Sequence, residues 1–179
     1  MMYYHGTNIL IDAINLNKCR NRTDFGKGFY LADKVETAQN WAIRRTQLLN
    51  GTPTIIKYEI NDSLFSLPGM RFKHTPSLEW LHFISKNRKN ADKNTNTQEP
   101  RHDYNWVSGP IANDKIADVV DEFLNGEITD SEAIKKARAL PYTFQLSLHT
   151  KQAVMFSNDN EVFYKQLINN RWTNDWKKR

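Results

Sequence analysis

The apolar residues of this chain come in short runs, and the spacing within each run predicts its secondary structure. Runs rich in β-branched or aromatic residues indicate strands, and Gly6 ends the first of them. Four such runs are present: Tyr3 to His5, Gly28 to Ala32, Thr54 to Ile60 and Phe144 to His149.

Other segments repeat apolar residues at the spacing of one helix face. The clearest of these contains Leu78, Leu81 and Ile84, with Trp80 and Phe83 beside them. Helices are also predicted at four further places: about Lys34 to Leu49, Lys115 to Leu124, Ser131 to Ala139 and Glu161 to Asn170.

Short capping motifs mark several helix starts. Asp33 and Glu36 have the spacing of a capping box before the first helix, and Thr129 and Glu132 repeat that spacing later. Thr75 places a capping hydroxyl directly before a proline. Because the short strands alternate irregularly with helices, the sequence predicts an α+β domain rather than a doubly wound parallel sheet.

Two segments stand apart from this pattern. Residues 87–101 contain only one apolar residue, so we expect a mobile polar surface loop that interrupts the domain without dividing it. Residues 171–179 form a basic, aromatic tail. Trp172 and Trp176 could stack on nucleic-acid bases, but we favour packing of both rings on the domain.

Composition narrows the class of protein. With 179 residues and 39% hydrophobic composition, the chain suits one core, so we expect one domain over residues 1–179. Neither a membrane-spanning run nor a secretion signal is visible, which favours a cytoplasmic protein without a membrane partner. Cys19 is the only cysteine, which excludes an internal disulfide. The net charge of +5 favours an anionic partner.

His5, Gly6 and Thr7 are the first candidates for chemistry. A neutral imidazole beside a glycine lets a ligand approach the main chain closely. A histidine at a strand end is nevertheless more often structural. These three residues alone therefore leave a binding role and a structural role open.

The run Phe25, Gly26, Lys27 and Gly28, followed by Tyr30, is the second candidate. Two glycines around a lysine give a turn whose amides and ammonium can face an anion, and the aromatic strand offers a ring for stacking. The glycine spacing matches neither a Walker loop nor a dinucleotide fingerprint. A glycine-rich hairpin with core aromatics is an equally good interpretation of the run.

Taken together, these groups resemble the catalytic domain of poly(ADP-ribose) polymerases. The likeness rests on His5 to Thr7, then Asp24 to Asp33 (Asp-Phe-Gly-Lys-Gly-Phe-Tyr-Leu-Ala-Asp), then a helix with Ala38 and Trp41. Residues 103–114 and 145–150 also resemble small, largely uncharacterised bacterial members of that superfamily. The resemblance implies an ADP-ribosyltransferase-like fold, with a central split mixed or antiparallel sheet flanked by helices.

The resemblance also implies roles for residues. His5 would bind the adenosine-side ribose of NAD, the Gly6 backbone would hold the nicotinamide carboxamide, and Tyr30 would stack on the nicotinamide ring. Thr7 and the run from Phe25 through Gly26 and Lys27 to Gly28 would complete the NAD site.

One position departs from the polymerase pattern. Gln145 matches the place where polymerase-type members have a glutamate, and it cannot act as a base. The match therefore favours transfer of one ADP-ribose unit, with Asp103 or Asp114 as a candidate base. Each aspartate has a structural alternative, because Asp103 could cap a turn and Asp114 could cap the helix from Lys115.

The function that follows is mono-ADP-ribosylation. The resemblance implies a transferase that cleaves NAD at the nicotinamide-ribose bond and modifies a protein or nucleic acid, as a bacterial or phage effector or toxin would. A non-catalytic NAD or ADP-ribose module and a nucleic-acid-binding protein are the alternatives. We expect no metal, since His74, His82, His102 and His149 form no pair at helical ligand spacing with an intervening glutamate.

Overall fold

A computed structural model describes residues 1–21, 23–89, 102–159 and 161–179 of the chain. They form the predicted α+β arrangement, a mixed sheet flanked by helices. The strands are β1 (Met2–Thr7), β2 (Phe29–Ala32), β3 (Thr54–Glu59), β4 (Gly69–Arg71), β5 (Trp106–Pro110), β6 (Phe144–Leu148), β7 (Phe163–Ile168), β8 (Arg171–Trp172) and β9 (Lys177–Lys178). The helices are α1 (Val35–Leu49), α2 (Leu78–Lys89), α3 (Asp114–Leu124), α4 (Asp130–Ala139) and α5 (Lys151–Val154).

The sheet runs in the order β4-β5-β6-β2-β1-β3-β7-β8, and β9 also pairs with β7. The β4–β5 pair is parallel and the other pairs are antiparallel. Strands β1 and β2 are joined at only one position, the register pair Tyr4↔Ala32. On its other side, β1 pairs with β3 from Met2 to Thr7.

The sheet separates two apolar clusters. Phe29 and Leu31 of β2 face the cluster that also contains Ile56 and Tyr58 of β3. On the opposite face, Tyr30 packs against the cluster formed with α2, α3 and α4. We call this second side the helix face. Since side chains alternate along a strand, neighbouring residues of β2 serve different layers.

Gly6 seats α1 on the helix face. A Cβ atom at Gly6 would lie 2.0 Å from the backbone oxygen of Ala38 and 2.9 Å from the backbone nitrogen of Ala42. Ala38 and Ala42 are buried at this crossing. Three small residues therefore let the backbones of α1 and β1 meet closely.

The prediction of a last helix from Glu161 to Asn170 is wrong. This segment contains β7, which pairs with β3 through Thr54↔Gln166 to Lys57↔Phe163. Its apolar residues also fit a strand, and the open edge of β3 decides between the two patterns by offering a row of backbone partners.

The polar segment was predicted to begin too early. Asn87 and Arg88 belong to α2, where Asn87 is 6% exposed and donates through Nδ2 to the backbone oxygen of Asp24 at 3.3 Å. Polar side chains belong in this helix because they bind a buried loop. The rest of the predicted loop, residues 90–101, lies outside the described residues.

Of the three helix N-caps predicted at Asp33, Thr75 and Thr129, the structure has one. The predicted box at Thr129 and Glu132 is present. The predicted box at Asp33 is not formed, since the N-cap of α1 is Lys34 and Asp33 instead accepts from the Phe144 amide at 3.2 Å. Ser77, rather than the predicted Thr75, supplies the hydroxyl at α2 by accepting from the amide of Trp80 at 3.2 Å.

The C-terminal tail packs on the sheet, as predicted. The ring of Trp176 stacks on Tyr4 with the centroids 6.0 Å apart, and Trp172 lies in β8. Among the described residues, no helix is long and apolar enough to cross a membrane.

Candidate functional site

At their junction, β1 and β2 pair at a single position and then separate. Met1 and Ile60 exchange two hydrogen bonds of 2.7 Å, so the backbone groups of Met1 point towards β3. Backbone direction alternates along a strand, and the N–H and C=O of Gly6 therefore point towards β2. The register beyond Tyr4↔Ala32 would place Gly6 opposite Tyr30, but the two strands do not pair there. One donor and one acceptor of Gly6 thus face the opening between the strands.

His5 spans the same opening. Its Nδ1 lies 2.8 Å from the carbonyl oxygen of Tyr30, and its ring stacks on Phe29 with the centroids 4.3 Å apart. A carbonyl only accepts, so Nδ1 carries the proton and Nε2 remains an acceptor. Burial lowers the pKa of His5 to about 4. The imidazole is therefore neutral at physiological pH, and none of the described residues hydrogen-bonds to Nε2.

Tyr30 is tied to the loop that precedes it. Its hydroxyl donates to the carbonyl oxygen of Gly26 at 2.7 Å and accepts from the amide of Phe25 at 2.9 Å. Burial raises the pKa of the phenol, which stays protonated. The ring also lies against Phe25, with the centroids 6.2 Å apart. Tyr30 is thus a fixed wall of the site rather than a free ring.

Two histidines hold the loop on its other side. His102 donates through Nε2 to the carbonyl oxygen of Phe25, and His149 donates through Nδ1 to that of Lys27, both at 2.8 Å. Their rings are perpendicular, with the centroids 4.6 Å apart. Burial lowers the pKa of both imidazoles, that of His149 to about 3. Sequence reasoning missed these roles, because the residues lie far from the loop along the chain.

Gly28 is required by the same packing. A Cβ atom there would lie 2.7 Å from the ring of His149 and 2.9 Å from the carbonyl oxygen of Leu148. The two glycines therefore serve different purposes, since Gly26 adopts a φ of 81° and Gly28 allows close approach.

Asp24 connects the loop to Gln145. One carboxylate oxygen binds Nη2 of Arg88 at 2.6 Å. The other accepts from the Ala112 amide at 3.0 Å and from Nε2 of Gln145 at 2.9 Å. Gln145 is 7% exposed, and its amide orientation is set by this carboxylate. Its Oε1 is left as the acceptor end of the side chain.

A groove of about 340 Å³ opens on the helix face beside the start of α1. The ring of Trp41 is 38% exposed, and the Arg44 guanidinium lies 5.5 Å from its centroid. Arg44 also reaches both carboxylate oxygens of Asp114 at 2.6 and 2.7 Å. The lining residues are Thr37, Asn40, Trp41, Arg44, Ile111, Asn113, Asp114, Pro141, Tyr142 and Thr143. In the sequence, the groove could have been suspected only from Trp41, which follows Ala38 by three residues on the predicted helix.

The structure treats the two predicted aspartates differently. Asp114 lines the groove but is ion-paired with Arg44, and the N-cap of α3 is Asn113 rather than Asp114. Asp103 is exposed, and its negative charge acts on His102. Neither carboxylate contacts Gln145.

The remaining predicted residues fall into two groups, one at the β1–β2 junction and one within the β1–β3 pairing. Gly6 and Tyr30 lie at the junction with His5, and the run from Phe25 to Gly28 is fixed beside it. Thr7 is buried in the β1–β3 pair opposite Thr54, so it acts in the strand.

Cationic side chains surround this region. Burial and the charge of Arg20 lower the pKa of Arg45, and the charge of Arg45 in turn contributes to the lowered pKa of His5. Burial raises the pKa of the Cys19 thiol to about 11, although the charge of Lys27 acts to lower it. The thiol is therefore not an activated nucleophile. Within the described part of the chain, no acidic group forms an ion pair with Arg20, Lys27 or Arg45.

The fold and site define an α+β protein in which β1 and β2 separate after one register pair, beside a hydrogen-bonded loop from Phe25 to Gly28, the glycine loop. The chain belongs to the DUF3990 family, whose model, described as a protein of unknown function, matches residues 1–157. No curated protein and no solved structure matches the chain. Among the described residues, no group of three or more histidine, cysteine or acidic side chains could hold a metal ion.

Proposed function

We propose that the protein binds NAD at the β1–β2 junction and transfers one ADP-ribose unit to a macromolecular acceptor. The observation that carries this proposal is the direction of the Gly6 N–H and C=O, which face the opening beside Tyr30 where β1 and β2 share no register pair. A carboxamide has one donor side and one acceptor side, and the backbone N–H and C=O of one residue complement both. Nicotinamide carries such a carboxamide.

The neutral imidazole of His5 supports the same proposal. Its Nδ1 proton is committed to Tyr30, which fixes the ring and leaves Nε2 to accept from a hydroxyl group. A ribose hydroxyl of NAD is a suitable donor. A protonated imidazole would lose this acceptor, and the low pKa of His5 prevents protonation above about pH 4.

The surrounding charges suit the rest of the molecule. NAD carries a diphosphate, and cationic side chains without acidic partners attract it. Arg20 lies close enough to Arg45 for its charge to lower the pKa of Arg45. The charge of Arg45 in turn contributes to the lowered pKa of His5. Lys27 adds a further cation beside the glycine loop.

The reaction would break the glycosidic bond between ribose and nicotinamide. Nicotinamide leaves with the bonding electrons as a neutral molecule, and the acceptor adds to the ribose carbon and gives up its proton. The ring of Tyr30, which its hydroxyl group fixes in place, would position the leaving group. Oε1 of Gln145 would accept from a ribose hydroxyl.

Gln145 limits the chemistry to one transfer. Its Nε2 is committed to Asp24, whose charge is already paired with Arg88. Neither group supplies a free base beside the ribose, so the acceptor must be a good nucleophile or bring its own base. The same observation favours the second candidate function, an NAD or ADP-ribose module that binds without turnover.

Calorimetric titration with NAD tests the binding step. The variant His5→Phe keeps an aromatic ring against Phe29 and removes the Nε2 acceptor, so its Kd should rise about tenfold, the equivalent of one hydrogen bond. His82→Phe is the matched control, because His82 is exposed on α2 and pairs with Asp130. The proposal is wrong if the folded wild-type protein does not bind NAD, or if both variants bind it equally well.

A further inference from the structure

A basic surface lies on the helix face of β3 and β7. Lys57 of β3 and Lys165 of β7 place their ammonium groups 4.9 and 5.3 Å from the ring centroid of Trp176. Lys57 also lies 5.0 Å from the ring centroid of Phe163, and Tyr4 stacks on Trp176. We call these five residues the lysine surface.

The strand register explains the arrangement. Tyr4, Lys57 and Phe163 are opposite one another on β1, β3 and β7, so their side chains share the helix face. Lys165 lies two residues from Phe163 on the same side of β7. The C-terminal strand β9 pairs with β7 and brings Trp176 over the two lysines.

The two charges are fixed but not neutralised. Among the described residues, no carboxylate forms an ion pair with Lys57 or Lys165, and Lys165 donates only to the backbone oxygen of Asn174 at 2.6 Å. Both ammonium groups lie against the same Trp176 ring, so the two charges share one small area of the sheet. Because the aromatic contacts already restrict these side chains, an anion would pay less entropy to order them.

Further cations lie along the same edge of the sheet. Lys178 lies opposite Phe163 and shares its face, where Glu161 partly neutralises it at 3.0 Å. Arg171 and Lys177 are exposed at the same edge, but they lie opposite Ile168 and Tyr164 and so belong to the other face of the sheet. Two lysines held beside one aromatic ring complement the closely spaced negative charges of a phosphate backbone. A membrane site would instead need large apolar side chains ready to insert, and on the lysine surface the aromatic rings are occupied by one another and by lysines.

We infer that the lysine surface binds the phosphate backbone of a nucleic acid. This interaction needs no bound NAD, since the two lysines lie on β3 and β7, on the side of β1 that faces away from β2. The surface would hold a nucleic-acid strand on the protein whether or not the junction is occupied. The tail contributes by ordering the lysines rather than by acting as a free arm.

Fluorescence anisotropy with a labelled single-stranded oligonucleotide of about 20 nucleotides tests this inference, with the salt concentration varied between about 50 and 200 mM. We expect the affinity to fall with salt. In Lys57→Gln/Lys165→Gln, binding should weaken about tenfold at the lowest salt, and the slope of log affinity against log salt should decrease by about 1.4, as expected for two lost phosphate contacts.

Two further double variants separate charge from structure. Lys115→Gln/Lys135→Gln removes the same charge from exposed positions on α3 and α4 and should bind like the wild type. Lys57→Arg/Lys165→Arg keeps both charges and should retain most of the affinity. The inference is overturned if the oligonucleotide does not bind, if the α3/α4 variant loses as much affinity, or if only vesicles of phosphatidylglycerol bind.

Discussion

Replacing Asp24 with alanine should lower the free energy of unfolding by about 3–5 kcal/mol. The carboxylate is only 10% exposed and holds Arg88, the amide of Ala112 and the amide of Gln145. Removing it leaves a guanidinium, itself 19% exposed, without its counter-charge, and two donors without their acceptor. Urea-induced unfolding measured by circular dichroism gives the change.

Two companion variants define the cause. Asp114→Ala removes an equal charge from the exposed pair with Arg44 and should cost less than about 1 kcal/mol. Adding Arg88→Met to Asp24→Ala should recover part of the loss, because the buried charge is then absent. Equal effects of Asp24→Ala and Asp114→Ala would show that the buried network does not organise the loop and Gln145.

Gly6→Ala should cost at least about 3 kcal/mol. The added methyl group would lie 2.0 Å from the backbone oxygen of Ala38, and a helix backbone cannot move aside as a side chain can. Either α1 shifts from the sheet or β1 bends, and both changes disturb the groove beside Trp41. Thermal or urea unfolding measures the loss.

Gly126→Ala is the matched control for Gly6→Ala. Gly126 has a φ of 76° and no neighbour within 4 Å of an added Cβ, so the change brings backbone strain alone and should cost about 1 kcal/mol. If the two alanine variants are equally stable, α1 is not seated on β1 as described.

Gly6 therefore has a structural role that the sequence did not reveal. The tripeptide with His5 left a binding role and a structural role open, and the Gly6 amide and carbonyl point towards the β1–β2 opening. The requirement for a glycine comes from α1, on the helix face of the strand. The two roles can coexist, because the backbone groups of Gly6 point along the sheet towards β2, whereas its Cα–H faces α1.

Local patterns predicted much of the fold and little of the network around Gln145. The strands at Tyr3, Phe29 and Thr54 were visible because each run of β-branched or aromatic residues has a glycine or a proline at one end. The link from Gln145 to Asp24 crosses more than a hundred residues, and no local spacing encodes it. The same holds for His102 and His149, whose partners are carbonyl groups of a distant loop.

Local patterns failed at two places: strand β5, which was not predicted, and β7, which was predicted as a helix. Trp106 to Pro110 is buried on both faces and contains a glycine and a proline, so it carries no alternation that would indicate a strand. The segment around Phe163 satisfies both a helical and a strand pattern, and pairing with β3 decides it. Partners distant in sequence settle both cases.

The most direct test of the account is nicotinamide release from NAD by the purified protein, measured with and without a mixture of cellular proteins and nucleic acids as acceptors. We predict release that requires the acceptor mixture and is lost in Tyr30→Ala. At NAD concentrations below the Kd, release should fall about tenfold in His5→Phe and stay unchanged in His82→Phe. A folded wild-type protein that neither binds NAD nor releases nicotinamide under any of these conditions would contradict the assignment of the β1–β2 junction as an NAD site.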